Sequence, residues 1–336
     1  MKETAAFINV SAQNELLRVY DSAVYERLRQ TLDLPREVIL AENLEGHRER
    51  LSKASYLFST WGMPALTEEQ IEEYLPNLKA VFYAAGTVQS FARPFLNRGI
   101  KVFSAWAANA VPVAEFTVAQ IVLSGKGYFQ GMRRMEKGGR EAFNAYAHSL
   151  PCNYQVKIGV LGAGMIGSRV LKMLQGYDFE TLAYDPFASD EKLAALGAKR
   201  ASLEEIFSQC QVISNHIANL PATQKMLRYE HFSKMKKNAV FINTGRGAQV
   251  AEEDLAQALR EEPDRTALLD VTWPEPPEGD SPLLALPNCI LSPHIAGSIN
   301  NEVARMGAYM AEEYEAFSAG RSCRYQVTLD MLETMA

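Results

Sequence analysis

The chain has 336 residues, 47% of them hydrophobic, and 34 Lys and Arg against 40 Asp and Glu give a formal net charge of −6. That is enough apolar material for a sizeable core, and the length predicts two domains. An acidic chain has no overall attraction for nucleic acid or an anionic membrane, the opening MKETAAFINV has no signal-peptide core, and no uninterrupted apolar run approaches the roughly 18 residues of a membrane span, so a soluble cytoplasmic protein is expected.

From the start, short β-type runs at residues 6–10, 38–40, 56–59, 79–83 and 100–103 alternate with helical patterns at 21–32 and 67–75. Thr67 opens the second helix, with Glu68 and Glu69 in its first turn, where negative charge complements the helix dipole. Such alternation predicts a parallel sheet with helices on both faces, so residues 1–104 read as one small α/β domain. Residues 109–126 read as a long, mostly apolar helix with Asn109 as cap and Pro112 in the first turn, buried between layers or in a dimer interface. Residues 125–139 then turn rich in glycine and in cations, including Arg133, Arg134 and Lys137. This segment reads either as a solvated loop or as a mobile element that touches an anionic ligand or a partner subunit.

The most informative stretch is KIGVLGAGMIGSRV, residues 157–170. Residues 156–161 form an apolar run of the kind that makes a buried parallel strand, and it runs into Gly162, Gly164 and Gly167 at G-x-G-x-x-G spacing. Gly162 allows the tight turn, Gly164 leaves room for a pyrophosphate, and Gly167 lets the next helix pack close to the sheet. Ile166, Val170, Met173 and Leu174 mark that helix, whose N-terminus would face the phosphates. A second strand at 181–184 ends in Asp185, placed to meet the ribose hydroxyls of a dinucleotide. A carboxylate there repels a 2′-phosphate, and Pro186 and Phe187 supply no cation to offset it, so NAD is expected over NADP. The plain alternative is an ordinary glycine turn with Asp185 capping a helix.

The α/β alternation resumes beyond this unit. Ser202 and Glu205 form a capping box, and strands are expected at 212–215, 239–242, 267–271 and 290–292, with helices near 229–237 and 252–260. Ligands of α/β sheets sit at the carboxyl ends of strands, so the residues just past each run are the candidates. Arg246, between two glycines, offers a planar fork for a carboxylate. Asp270 ends the next strand, and Glu275 is held between Pro274 and Pro276. His294, past the last strand, suits proton transfer at neutral pH with a carboxylate to orient its ring. Taken singly, Arg246 reads as a surface charge, Glu275 as a solvated acid and His294 as a cap or core histidine; together they follow strands of one nucleotide domain. His216 is the rival histidine, while His47, His148 and His231 read as structural. Cys152, Cys210, Cys289 and Cys323 lie far apart without metal-ligand spacing, so neither a disulfide framework nor a metal site is expected.

In VLGAGMIGSRV, MKKNAVFINTGRGAQV, ALLDVTWPEPP and LSPHIAGS the chain resembles the D-isomer-specific 2-hydroxyacid dehydrogenases, in particular the D-3-phosphoglycerate dehydrogenase-like members. Weaker similarity in LKAVFYAAGTV and NAVPVAEFTVAQIVL extends the match through most of the chain. The resemblance implies two doubly wound parallel-sheet domains. A Rossmann NAD-binding domain, residues 105–298, would be inserted into a flavodoxin-like substrate domain formed by residues 1–104 and 299–336, with a cleft between them and a homodimeric assembly. It implies cofactor contacts from Gly162, Gly164, Met165, Ile166, Gly167, Asp185, His216, Thr244, Asp270 and Gly297. Arg246 would bind the carboxylate and carbonyl of a 2-oxo acid, or the matching D-2-hydroxy acid, together with the backbone of Ala85, Gly86 and Thr87. His294 would be the acid/base on the C2 oxygen, with Glu275 hydrogen-bonded to it and favouring its protonated form. Two departures argue against phosphoglycerate. Gly86 is followed by Thr87, Val88 and Gln89 rather than the family's G-x-D-N-[IV]-D, and the first substrate loop is Ser59-Thr60-Trp61-Gly62-Met63 without an arginine, where Trp61 suggests a less polar substrate side chain. The cations after Gly125 are a candidate replacement anion site. A second reading, from another class, is an NAD(H)-sensing binding protein like the corepressor relatives of the family.

Overall fold

The computed structural model describes residues 2–11, 15–150 and 152–333. It divides into two compact units, one comprising residues 1–109 and 298–336 and the other 110–297. In chain order the strands are β1 Glu3–Asn9, β2 Leu32–Asp33, β3 Val38–Leu40, β4 Ala54–Ser59, β5 Ala80–Tyr83 and β6 Lys101–Ser104. Then follow β7 Lys157–Leu161, β8 Glu180–Tyr184, β9 Ala198–Arg200, β10 Val212–Asn215, β11 Val240–Asn243, β12 Thr266–Leu269, β13 Cys289–Leu291 and β14 Gln326–Val327.

The first unit's sheet runs β14-β6-β5-β4-β1-β2, with β3 also paired to β1. All pairs are parallel except β14, which lies antiparallel to β6. Leaving out β14, the order is that of a flavodoxin-like sheet. Its strands are buried on both faces, as parallel strands covered by helices must be. Alternate residues therefore enter different cores: Phe7, Phe58 and Phe82 on one side, Ile8, Leu57 and Val81 on the other. The helix Val303–Ser318 returns to this unit and puts Tyr314 edge-on to Phe58 and Phe82. Two further hydrogen bonds join Arg27 to Glu315, at 2.5 and 2.7 Å.

The second unit's sheet, β13-β12-β11-β10-β7-β8-β9, is parallel throughout. The chain leaves β7 toward β8 and later returns to its other side as β10. This reversal is the switch point where Rossmann folds bind ligands, and it lies at the glycine-rich turn. Two cores again flank the sheet, one around Phe207, Phe232 and Phe241 and one around Ile158, Val160 and Val170.

Two readings of the sequence need correction. The long apolar helix starts at Trp106, not Asn109, and runs to Gly125, so Pro112 is inside it and leaves the Ala108 carbonyl without its usual donor. By length and composition this helix would also suffice to cross a membrane, but Ala114, Thr117, Val118 and Ile121 are buried in the protein. Residues 128–147 are not a loop. They form a helix, Tyr128–Ala147, interrupted where Gly138 and Gly139 leave helical geometry. Two of its arginines are engaged: Arg133 donates to the Pro287 carbonyl and to Thr266 Oγ1, while Arg134 pairs with Asp264 and lies 3.7 Å over the Tyr146 ring. These contacts remove both arginines as a replacement anion site.

Candidate active site

The glycine-rich turn is built for close approach. Gly162 has φ +88°, and a Cβ on it would lie 2.7 Å from the His216 carbonyl oxygen; one on Gly167 would lie 1.8 Å from the Gly162 carbonyl oxygen. Both positions exclude a side chain because protein already fills the space. Gly164 differs, since a Cβ there would meet nothing within 4 Å. It precedes the helix Met165–Leu174, whose first turn has no side-chain cap. Open space before free helix amides suits a phosphate, so the residues present fit a dinucleotide.

Asp185 is tied down. Its Oδ2 accepts from Ala163 N at 2.6 Å, and its Oδ1 accepts from Phe187 N at 2.8 Å and Ala188 N at 2.9 Å. Burial raises its pKa, but the three amides, helped by Lys192, outweigh burial and hold it below the usual value. Two carboxylate oxygens offer about four acceptor sites, so one remains for a ribose hydroxyl. Asp185 does not cap the next helix; Ser189 does. Cations are nearer than the sequence suggested, because Lys192 Nζ donates to the Ala163 carbonyl at 2.9 Å and Arg200 Nη1 to the Asp185 carbonyl at 2.7 Å.

The remaining candidates sit on loops after β10, β11, β12 and β13, four neighbours in the sheet. The registers Asn215–Asn243, Asn243–Leu269 and Leu269–Leu291 bring these strand ends level. The Arg246 loop rests on a buried amide network. Asn215 Nδ2 donates to Asn243 Oδ1 and Gln249 Oε1, Asn243 Oδ1 accepts from Gly245 N, and Asn243 Nδ2 donates to the Arg246 carbonyl. Gly247 must be glycine, because a Cβ would lie 2.0 Å from the Thr272 carbonyl carbon. Arg246 spends Nη1 on the Gly245 carbonyl at 2.8 Å, while its other guanidinium nitrogens have no partner among the described residues. Thr244 is buried, its hydroxyl 3.1 Å from that of Thr117.

His294 and Glu275 meet, with Nδ1 2.5 Å from Glu275 Oε1. His294 has φ +54°, a left-handed conformation unusual for a residue with a side chain. Asp270 holds it there. Its buried carboxylate accepts from Ser292 Oγ at 2.6 Å, Ile295 N at 2.9 Å and Ala296 N at 2.8 Å, bracketing the histidine on both sides. The structure thus gives Asp270 a task the sequence did not suggest. The Glu275 loop is anchored too: Trp273 N donates to Glu252 Oε1 at 2.7 Å, and Thr272 Oγ1 donates to the Pro274 carbonyl at 2.8 Å. Gly297 follows at the end of this unit.

His216 is a poor acid. Its Nε2 lies 2.9 Å from Ser214 Oγ, its Nδ1 is buried without a partner among the described residues, and burial pushes its pKa down to about 3. It is neutral at physiological pH and belongs to the packing of the glycine-rich turn. Among the described residues no group of three His, Cys, Asp or Glu side chains could hold a metal.

In the first unit, the loop after β5 has its carbonyls tied back. Thr60 Oγ1 donates to the Ala84 carbonyl, and Ser104 Oγ to those of Ala85 and Gly86 at 2.8 and 2.6 Å. Among the described residues no hydrogen bond engages the N–H of Gly86 or Thr87. Two donors thus stand without a protein partner beside three restrained acceptors.

The Asn215–Asn243–Gln249 network, Glu252, Ser292 and Lys192 are not among the candidates the sequence offers. The available signal was a polar residue ending each apolar run, as in Val212–Asn215 and Val240–Asn243.

Comparison with known proteins places the chain in a family. Residues 119–296 match the sequence profile of the NAD-binding domain of the D-isomer specific 2-hydroxyacid dehydrogenases. The chain belongs to that family, and its cofactor is NAD. It is 30% identical over 236 residues to a D-3-phosphoglycerate dehydrogenase of Archaeoglobus fulgidus, covering 70% of this chain and 44% of that protein. It is 32% identical over 259 residues to the D-3-phosphoglycerate dehydrogenase of Haemophilus influenzae, covering 75% and 62%. The chain thus spans about half of these relatives' length. Among solved structures, a phosphoglycerate oxidoreductase of Rhizobium etli superposes with a TM-score of 0.81 at 22% identity, covering 98% of this chain and all of that one, which shows the shared fold.

Proposed function

We propose that the protein is an NAD-dependent D-2-hydroxyacid dehydrogenase, a soluble cytoplasmic homodimer that interconverts a D-2-hydroxy acid and its 2-oxo acid. The observation that carries this reading is the 2.5 Å contact between His294 and Glu275, on loops from adjacent strands of a dinucleotide-binding sheet. NAD, when bound, supplies the hydride acceptor, and NADH the donor. Gly162, Gly164, Met165, Ile166 and Gly167 would hold its pyrophosphate, Asp185 its ribose, and His216, Thr244, Asp270 and Gly297 would line its path. His294, held at Nδ1 by Glu275, has Nε2 free for the C2 oxygen. It takes the hydroxyl proton as C2 is oxidised and returns it to the carbonyl oxygen in reduction. Glu275 stabilises the imidazolium formed in the first case and keeps the ring oriented in both. The unspent donors of Arg246 would grip the substrate's carboxylate and carbonyl oxygens, and in the first unit the amides of Gly86 and Thr87 are donors suited to a carboxylate.

The test is His294→Ala in an assay of NADH oxidation by 2-oxo acids. Loss of a positioned acid/base should lower kcat by about 10²–10⁴-fold, with NADH affinity by fluorescence titration kept within a few-fold. Turnover within a few-fold of wild type would remove His294 from the chemistry. NADH binding by the wild type without turnover of any 2-oxo acid would favour the NAD(H)-sensing reading instead.

A further inference from the structure

Resting on the dehydrogenase reading above, we propose that the substrate carries an uncharged, apolar side chain, branched or aromatic, seated against Trp61 and Val10 at the carboxyl ends of β4 and β1. The strand order places these ends beside the free amides of Gly86 and Thr87, since β5 neighbours β4 and β4 neighbours β1. Neighbouring strands lie about 4.8 Å apart, so a side chain leaving a carboxylate on the β5 loop meets Trp61 after about 5 Å and Val10 after about 10 Å.

The two side chains stand on one locked turn. Val10 N donates to the Gly62 carbonyl at 2.8 Å, Asn9 Nδ2 to the Trp61 carbonyl at 2.8 Å, and Met63 N to the Thr60 carbonyl at 3.1 Å. Gly62 has φ +90°, and a Cβ there would strike Asn9 Oδ1 at 2.3 Å. Trp61 remains 41% exposed and Val10 54% exposed on this rigid support. A rigid apolar surface beside an anion site is the usual make-up of a small-molecule pocket, where a few polar groups orient the ligand and apolar walls hold the rest.

Charge agrees. Residues 9–11, 59–63, 84–91 and 104–106, at the carboxyl ends of β1, β4, β5 and β6, contain no Lys, Arg or His, and Arg324, which precedes β14 at this edge, is paired with Glu312. A phosphate or second carboxylate on the substrate would leave water for a surface with no counter-charge from these loops.

The experiment uses the full-length protein and NADH. It compares kcat/KM for 4-methyl-2-oxopentanoate and phenylpyruvate with kcat/KM for 2-oxoglutarate and 3-phosphohydroxypyruvate. The apolar pair should be favoured by about 10-fold or more, the discrimination that one or two methylene-sized contacts supply. Trp61→Arg should move the ratio at least about 10-fold toward the dianionic pair, mostly through KM. Trp61→Ala should weaken the apolar pair alone. Preference of the wild type for a dianionic substrate, or a ratio unmoved in both variants, would overturn the inference and leave the dehydrogenase reading standing. Turnover of none of the four, with NADH binding intact, would overturn that reading and the inference with it.

Discussion

Burial holds the His216 ring neutral, with a pKa of about 3 against an ordinary 6.5, whereas His294 stands exposed with a carboxylate on one nitrogen. Surroundings, not residue type, give the two histidines different tasks. The His216 shift has a consequence for stability. The unfolded chain binds a proton at this site from pH 6.5 downward and the folded chain does not until about pH 3, so stability is full above 6.5 and is lost as pH falls through that window. The loss is about 1.4 kcal/mol for each pH unit below 6.5. Thermal melts between pH 7 and 4.5 should show a fall in Tm that is shallower in His216→Asn; identical slopes would show that the ring is not held neutral. At this scale His294 and Glu275 were legible as candidates because both lie on loops that follow strands, where ligands collect, while their pairing was what the family resemblance implied. Asp270 as the clamp of the His294 loop was not, because that role depends on loop geometry across 25 residues of sequence.

The glycine-rich turn separates folding from binding within one element. Gly167 packs on the Gly162 carbonyl, whereas Gly164 faces open space. Gly167→Ala must push backbone against backbone and should cost about 1–3 kcal/mol or more, as overpacking does. Gly164→Ala should leave Tm unchanged but lower NADH affinity at least about 10-fold by intruding on the pyrophosphate. Equal melting points for the two variants would contradict this division. The strands at 38–40, 212–215 and most of the others were legible from apolar runs, since strands buried on both faces have no alternation to disguise them. β2 and β14 are two residues long and β9 is Ala-Lys-Arg, and such short or polar edges carry no periodic signal. The helix Tyr128–Ala147 was missed because Gly131, Gly138 and Gly139 argue against helix locally. Tertiary contacts override that propensity: Gly131 leaves room for Phe143, and Gln130 Nε2 donates to the buried Asn238 carbonyl.

At the scale of the whole molecule, the chain leaves its first unit at Asn109 and rejoins it at Ser298. Helix Val303–Ser318 then closes one face of the first sheet, and buried Glu313 accepts from the amides of Arg324 and Tyr325 to bring β14 back to β6. In the second unit one surface stays apolar. Tyr128, Met132 and Met135, at helical spacing, are exposed on the helix Tyr128–Ala147, and Leu123 is exposed near the end of the helix before it. Arg133 and Arg134, between Met132 and Met135 in sequence, turn inward to Thr266 and Asp264, which leaves this stripe free for a partner with the same surface. A two-fold interface suits such a self-complementary patch, because each residue is used twice. The double variant Met132→Glu, Met135→Glu places like charges opposite one another across the proposed dimer. Light scattering at micromolar concentration should find the wild type at twice the mass of one chain and the variant at one, with the variant's melting behaviour showing it folded. A monomeric wild type would overturn the dimer, and a folded variant that still dimerises would move the assembly surface elsewhere.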